Sequence, residues 1–553
     1  MHLSKISNNV VLDNTNNTFR VNLPVSKQYL LDKLNVYYIA HPHIKDTVVG
    51  FFDATLDSCR LIYNLGEYTI LRALPVYYQD WFMVEGQYKP MEHQKLTAAY
   101  MVINPRCFVL SDCRLGKTGS AIMAMEWLKN NKIITGGALI ITTLTTVTGV
   151  WLDNLITSCP DKKITVLHGK KDMGLLNTNN PSDYYITNYD TVRICADNFL
   201  RAVKSKKISY ILVDELTHCG NISTLRTQAI KRLINEGAVA YAAGMTGTPG
   251  YDPKPVYGMV KTINPNNPLF PYRTLQGWMN ETTIPGYFHS QYTIKSNANE
   301  YIFKAMQPAI RFRKEEVLNL PPITEQIRKV DLSKEQINAI EDLWVDALTE
   351  LEHKNVMASN AAVKLNKILQ VAQGFALTKE GEVVYSVPYP QMNDERSKAI
   401  LDIINETDRK VVIFSMFRQR LKMIEQLLNN NKITNAVIHG QITGTERGDI
   451  LRSFAKDPNP RCLIAHPITV GYGTELSQAD TMIIDGPLLL GGFSYTQTLE
   501  RLSSIKQTAS NINIIKLIGD YRELKIFKRM DTNQSTSQII GGLFEDARKE
   551  MYG

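Results

Sequence analysis

Residues Ser111-Asp112-Cys113-Arg114-Leu115-Gly116-Lys117-Thr118 have the types and order that grip a nucleoside phosphate. The apolar run Cys107-Phe108-Val109-Leu110 precedes them and a helical pattern from Ala121 to Leu128 follows, so the stretch reads as strand, tight loop, helix. In such a loop backbone N–H groups and the positive helix end hold phosphate oxygens, a Lys reaches the outer phosphates and a Thr hydroxyl binds Mg2+. Gly116, Lys117 and Thr118 fill those places, flanked by Leu115 and Gly119. Ser111 stands where the strict motif has its first glycine, so the tripeptide needs a second half. Tyr210-Ile211-Leu212-Val213-Asp214-Glu215 provides one, an apolar strand ending in two carboxylates. Such a pair can set Asp214 on the metal's water shell and Glu215 on an attacking water. The expectation is an ATP–Mg2+ site with Lys117, Asp214 and Glu215 as catalytic residues and Thr118 and Asp214 on the metal.

The elements that must position these residues are strands alternating with helices through about residue 260, which predicts a parallel sheet with its site at the strands' carboxyl ends. Gly137 to Thr143, Ile164 to Gly169 and Tyr184 to Thr191 read as further strands. From Ser333 to about Gln373, Ile337, Ile340, Leu343, Trp344, Leu348 and Leu351 recur at helical spacing and predict a helical insertion. A second α/β unit begins near Asp394. Residues 1–85 carry short runs such as Val36 to Ala40, Val48 to Phe52 and Cys59 to Tyr63, which read as a small β-rich domain. The expected division is 1–85, a β-rich accessory or substrate-recognition domain; 86–320, an ATP-binding lobe; 321–393, linker and helical insertion; and 394–553, a second lobe.

With 553 residues, 44% hydrophobic and 21% charged, the chain is a folded multidomain protein. A net charge of +8 suits a polyanionic partner without demanding one. The seven cysteines form no C-x-x-C pair and have no His at zinc spacing, which excludes a zinc module or disulfide framework and implies reduced thiols and an intracellular setting. No run approaches the roughly 18 apolar residues of a membrane span, so no membrane partner is expected. Stretches such as Asn429-Asn430-Asn431-Lys432 suggest an AT-rich coding genome, with phage or viral sources among those that fit.

Asp214-Glu215-Leu216-Thr217-His218, Gly244-Met245-Thr246-Gly247-Thr248-Pro249 and Ile310-Arg311-Phe312-Arg313-Lys314 through Leu320-Pro321-Pro322 resemble motifs of the superfamily 2 helicases and translocases. Within that group the last resembles the signature of the Swi/Snf-type duplex-DNA motors. Lys410 to Phe417, Ala436 to Gly440, Gly471 to Leu476 and Gln497 to Gln507 are similar to the family's later motifs, in order. The resemblance implies two RecA-like parallel-sheet lobes with ATP between them. It assigns Gln94 to adenine, whose edge needs the donor and acceptor that a Gln amide offers together. Gly473 and Gln497 join the ATP site. His218, Thr246, Gly247 and Thr248 couple hydrolysis to movement. Thr143, Thr187, Asn188, Ser415, His439 and Gly440 are placed on DNA, the same Thr and Asn residues serving equally well as helix caps.

Three positions depart from the family pattern. Arg114 replaces a glycine of the phosphate loop, Glu475 replaces an Asn, and Ser504 stands where the arginine finger is expected. Arg501 as finger, compensation by Lys506 or another base, and weak hydrolysis are the three accounts of Ser504, and the first is preferred. The implied activity is an ATP-dependent translocase on duplex or branched DNA, working as a monomer in branch migration or fork remodelling. A strand-separating helicase and a nucleotide-gated DNA-binding module with little hydrolysis are the alternatives.

Overall fold

The computed structural model describes residues 3–78, 89–178, 180–247, 250, 252–285, 292–318, 320–352, 358–378, 380–470, 476–490, 492–504, 507–531, 536, 539–540, 542–543 and 546. The chain forms two compact units, Met1–Val317 and Leu318–Gly553.

In the first unit, alternation puts Phe19, Val21 and Leu23 on one face and Thr18, Arg20 and Asn22 on the other, the pattern of a half-buried strand. Strands β1 (Leu3–Lys5), β2 (Val10–Asp13), β3 (Thr18–Pro24), β4 (Tyr38–Ala40) and β5 (Thr47–Asp53) make an antiparallel sheet in the order β1-β2-β3-β5-β4. Cys59 to Tyr63, expected among the β runs, instead lies in the helix Leu56–Asn64. Thr55 caps that helix by accepting from the Ser58 amide (3.1 Å), and Cys59 and Ile62, three apart, share its buried face. Arg60 donates to the Ile103 carbonyl, and the Tyr63 and Tyr100 rings stand 5.1 Å apart. A single apolar cluster runs from Val10, Phe19 and Phe52 through Tyr100 and Met101 to Ile122. The amino-terminal sheet and the helix Glu92–Ile103 therefore share one core.

The main sheet of this unit comprises β6 (Arg106–Val109), β7 (Gly137–Thr142), β8 (Ile164–Leu167), β9 (Tyr184–Asn188), β10 (Ile208–Asp214) and β11 (Tyr241–Met245). The pair β12 (Thr283–Pro285) and β13 (Tyr292–Ile294) stands apart, and β14 (Ala309–Ile310) closes the edge. The order β14-β6-β11-β10-β7-β9-β8 is parallel throughout. Its central strands are apolar along their length because helices cover both faces.

The second unit holds β15 (Ile323–Lys329), the hairpin β16 (Phe375–Leu377) and β17 (Val383–Tyr385), then β18 (Lys410–Phe414), β19 (Asn435–Ile438), β20 (Cys462–Ala465), β21 (Ala479–Asp485) and β22 (Ile512–Ile518). Its six-stranded sheet runs β15-β22-β21-β18-β20-β19, again all parallel. The helices Lys334–Glu352 and Ala358–Ala372 pack on each other as the 3.6-residue pattern predicts, with Ile340, Trp344 and Leu348 inside but Ile337 exposed. No helix among the described residues is long and apolar enough to cross a membrane.

Candidate functional site

Parallel topology brings three loops together at the carboxyl ends of β6, β11 and β10, which lie side by side. The loop after β6 is the phosphate loop. Gly116, at φ +74°, turns it into the helix Lys117–Asn130, and a Cβ there would overlap the Gln94 side-chain amide. Arg114 also has positive φ, +67°, a conformation usually left to glycine. Lys117 lies across the loop, its Nζ donating to the Ser111 and Asp112 carbonyls at 2.9 Å each. Thr118 and Gly119 form the first helical turn and are partly exposed. The loop is braced from β14 onward: the Phe312 amide donates to Ser111 Oγ (3.1 Å) and the Lys314 amide to Asp112 Oδ2 (3.0 Å).

Asp214 ends β10. Its Oδ2 accepts from the Trp151 indole (2.8 Å) and the Thr142 hydroxyl (3.0 Å), and its Oδ1 from the Glu215 amide (3.1 Å). Burial pushes its carboxyl above the ordinary range, against the pull of those two side-chain donors and of the Lys117 charge. Glu215 follows in the left-handed region at φ 54°, ψ 54°. A Mg2+ ion fits this donor set: a half-buried carboxylate and a helix-start hydroxyl are hard oxygen ligands, and Thr118 and Asp214 would hold it. Among the described residues no group of three or more His, Cys, Asp or Glu could hold a metal.

Thr246 and Gly247 follow β11, between these two halves. The Thr246 amide donates to the Val109 carbonyl (3.0 Å), and a Cβ on Gly247 would overlap Cys113 Sγ and stand 2.9 Å from the Cys113 nitrogen. His218 packs 5.1 Å from the Tyr189 ring, and burial with the Arg226 charge holds its imidazole below the usual range. Thr248 and Gly473 lie outside the described residues, as do Glu475 and Lys506.

Other expected contacts are engaged within the protein. Gln94 is 5% exposed; its Oε1 accepts from the Met91 amide (2.9 Å) and its Nε2 donates to the Leu115 carbonyl (3.1 Å). It braces the phosphate loop instead of offering its amide outward. Thr187 is buried and donates to the Leu167 carbonyl (3.0 Å), and Ser415 is buried and donates to Gln373 Oε1 (3.1 Å). Asn188 takes the alternative role of helix cap, its Oδ1 accepting from the Thr191 amide (2.8 Å), while Thr143 is bonded to the Thr146 hydroxyl (2.9 Å). His439 is half-buried, its Nδ1 accepting from the Gln441 amide (3.3 Å), and Gly440 is exposed. Arg501 is 6% exposed and donates to the Pro467 carbonyl (3.4 Å), with Ser504 also buried and Gln497 half-buried near by in sequence. Its guanidinium is thus turned into the second unit, where its own backbone carbonyl also accepts from Leu476.

Sequence reasoning missed Trp151 and Thr142 as ligands of Asp214. The indole lies 63 residues from its partner, so no local pattern pairs them.

An SNF2-related domain matches residues 93–379, more than half of the chain, and a helicase conserved C-terminal domain matches 395–521. The chain belongs to the SNF2-related family. Among its relatives is an uncharacterized ATP-dependent helicase of Mycoplasma genitalium, 24% identical over 67% of this SNF2-related chain and 34% of that protein. The DNA annealing helicase and endonuclease ZRANB3 of Bos taurus is 22% identical over 75% and 37%, and the human DNA excision repair protein ERCC-6 21% identical over 76% and 30%. The SNF2-related chain spans about a third of the length of these relatives. Two solved structures, the Sulfolobus solfataricus SWI2/SNF2 ATPase core with dsDNA and the same core domain alone, are each 18% identical. They cover 84% and 86% of this chain, and it covers 95% and 96% of theirs, with TM-scores of 0.38 and 0.36.

Proposed function

We propose that this chain is an ATP-dependent DNA translocase that tracks duplex or branched DNA, remodelling forks or migrating branches. The observation that carries the reading is Lys117, just after β6, and the Asp214–Glu215 pair at the end of β10, both at the carboxyl ends of the parallel strands that flank β11, inside the SNF2-related match. Lys117 would leave the Ser111 and Asp112 carbonyls for the outer phosphates, exchanging two neutral acceptors for charged ones. Bound Mg2+ would supply charge neutralisation on those phosphates. Glu215 would orient the attacking water, and Thr246 and Gly247, seated between the two halves, would carry the change in loop position to the rest of the lobe.

One observation favours a second reading. With Ser504 at the finger position and Arg501 buried against Pro467, the second unit presents no described arginine from the expected motif. That supports a nucleotide-gated DNA binder with slow turnover, since losing a finger costs about 10³–10⁵ in rate.

Steady-state ATPase of the full chain and of Glu215→Gln, with no polymer, single-stranded DNA, duplex, four-way junction and RNA, tests the proposal. Stimulation by duplex or junction that the variant loses supports the translocase. Stimulation only by single strands or RNA replaces it with a strand-separating helicase, and turnover that no polymer raises replaces it with the gated binder.

A further inference from the structure

Glu215 is not a glycine, yet it holds φ 54° and ψ 54°, a backbone state that a side-chain-bearing residue adopts only when its surroundings impose it. The surroundings here are specific. The Tyr189 hydroxyl, from the first residue of the helix Tyr189–Ile194, donates to the Asp214 carbonyl at 2.5 Å and to the Glu215 carbonyl at 3.1 Å. It bridges the two peptide groups that define the turn. The ring is 4% exposed and is walled by the His218 imidazole at 5.1 Å and the Arg226 guanidinium at 5.6 Å. Asn188, just before it, caps the same helix, so the hydroxyl is held on a fixed base.

We infer that Tyr189 is a positioning residue for Glu215: its hydroxyl holds the left-handed turn that aims the carboxylate at the water. The inference rests on the ATPase reading above and assigns Tyr189 no contact with nucleotide. The phosphate grip, by contrast, comes from the loop after β6 and does not pass through Tyr189. Removing the hydroxyl therefore separates turnover from binding. The two carbonyls lose their shared donor, the turn relaxes toward right-handed backbone and the carboxylate moves, while Lys117 and its loop keep their places.

Tyr189→Phe, which keeps the ring and its contacts with His218 and Arg226, is the test. Duplex-stimulated kcat is expected to fall about ten- to a hundredfold, the effect of displacing a reacting group by about 1 Å. KM for ATP is expected to stay within about twofold, and the thermal melt to remain cooperative. An unchanged kcat overturns the inference, because the ring alone then does what Tyr189 does. A parallel rise in KM, or loss of the cooperative melt, overturns it equally, since the hydroxyl would then serve the whole fold. If the parent chain hydrolyses no ATP with any polymer, the translocase reading fails and takes this inference with it. A parent that turns over normally beside an unimpaired Tyr189→Phe sinks the inference alone.

Discussion

Asp485 is fully buried at the end of β21, between the guanidinium groups of Arg420 (Nε to Oδ2, 2.7 Å) and Arg396 (Nη1 to Oδ1, 3.3 Å); Arg396 also reaches Glu523 (2.6 Å). Burial alone would raise its carboxyl, but the two arginines hold it below the ordinary range. Removing one member of a buried charge cluster strands the others, so Asp485→Asn is expected to destabilise the chain by about 3–5 kcal/mol in chemical denaturation. A change under about 1 kcal/mol would mean that water already solvates the cluster. His218 gives a prediction with a defined pH sign. Its imidazole is held below the usual range by burial and Arg226, so the unfolded chain binds that proton more readily. The associated stability is complete above about pH 6.5 and is lost as pH falls through the depressed folded value. Melting temperature should drop between pH 8 and 5, and His218→Gln should shrink the drop while leaving the shares that belong to His93 and His466, whose burial acts in the same direction. What was legible at this scale was local chemistry: Gly116-Lys117-Thr118 and Asp214-Glu215 declare themselves by adjacency. Whether Thr187 or Ser415 faces water is decided by strands brought in from elsewhere, and no spacing within the chain records that.

The order of neighbouring elements explains why Gly247 must be small. β11 lies between β6 and β10, so the turn after it runs against Cys113 of the phosphate loop, with no room for a Cβ. Gly247→Ala should push the loop outward, raising KM for ATP about tenfold or more and costing about 1–3 kcal/mol in stability by overpacking. An unchanged KM would show that the loop yields without altering its grip. Parallel sheets with helices between strands were readable from apolar runs such as Gly137–Thr142 and Cys462–Ala465, because strands covered on both faces need little else. β15 was not. Thr324, Glu325, Gln326, Arg328 and Lys329 lack an apolar pattern, and on sequence the segment reads as linker. Yet it pairs with β22 over seven residues and adds an edge to the second sheet, held by main-chain bonds that side chains do not announce. The helix Leu56–Asn64 is the reverse case, in which a short aromatic and aliphatic run suited either state and the Thr55 cap decided.

The molecule carries its apolar cores in separate halves. Two clusters lie within Met1–Val317, one reaching from the amino-terminal sheet to β11 and the other from Phe108 to Met306. Two more lie within Leu318–Gly553, where Arg522 further ties the helix Tyr521–Met530 to the helix Lys334–Glu352. It donates to both Glu341 oxygens at 2.8 Å and stacks on Trp344 at 4.9 Å. A unit with its own core and its own complete sheet meets the physical requirement for folding alone. Residues 1–317 and 318–553, produced separately, should each show a cooperative thermal transition. The first holds Lys117, Asp214 and Glu215 and should bind an ATP analogue in the presence of Mg2+. Turnover that DNA stimulates should be lost from both, because the proposed cycle needs groups from each lobe. If 1–317 alone hydrolysed ATP at the full stimulated rate, no residue of the second unit, Arg501 included, would have a part in the chemistry. If either half failed to fold, the division of the cores would not be a division of stability, and the chain would unfold as one cooperative body.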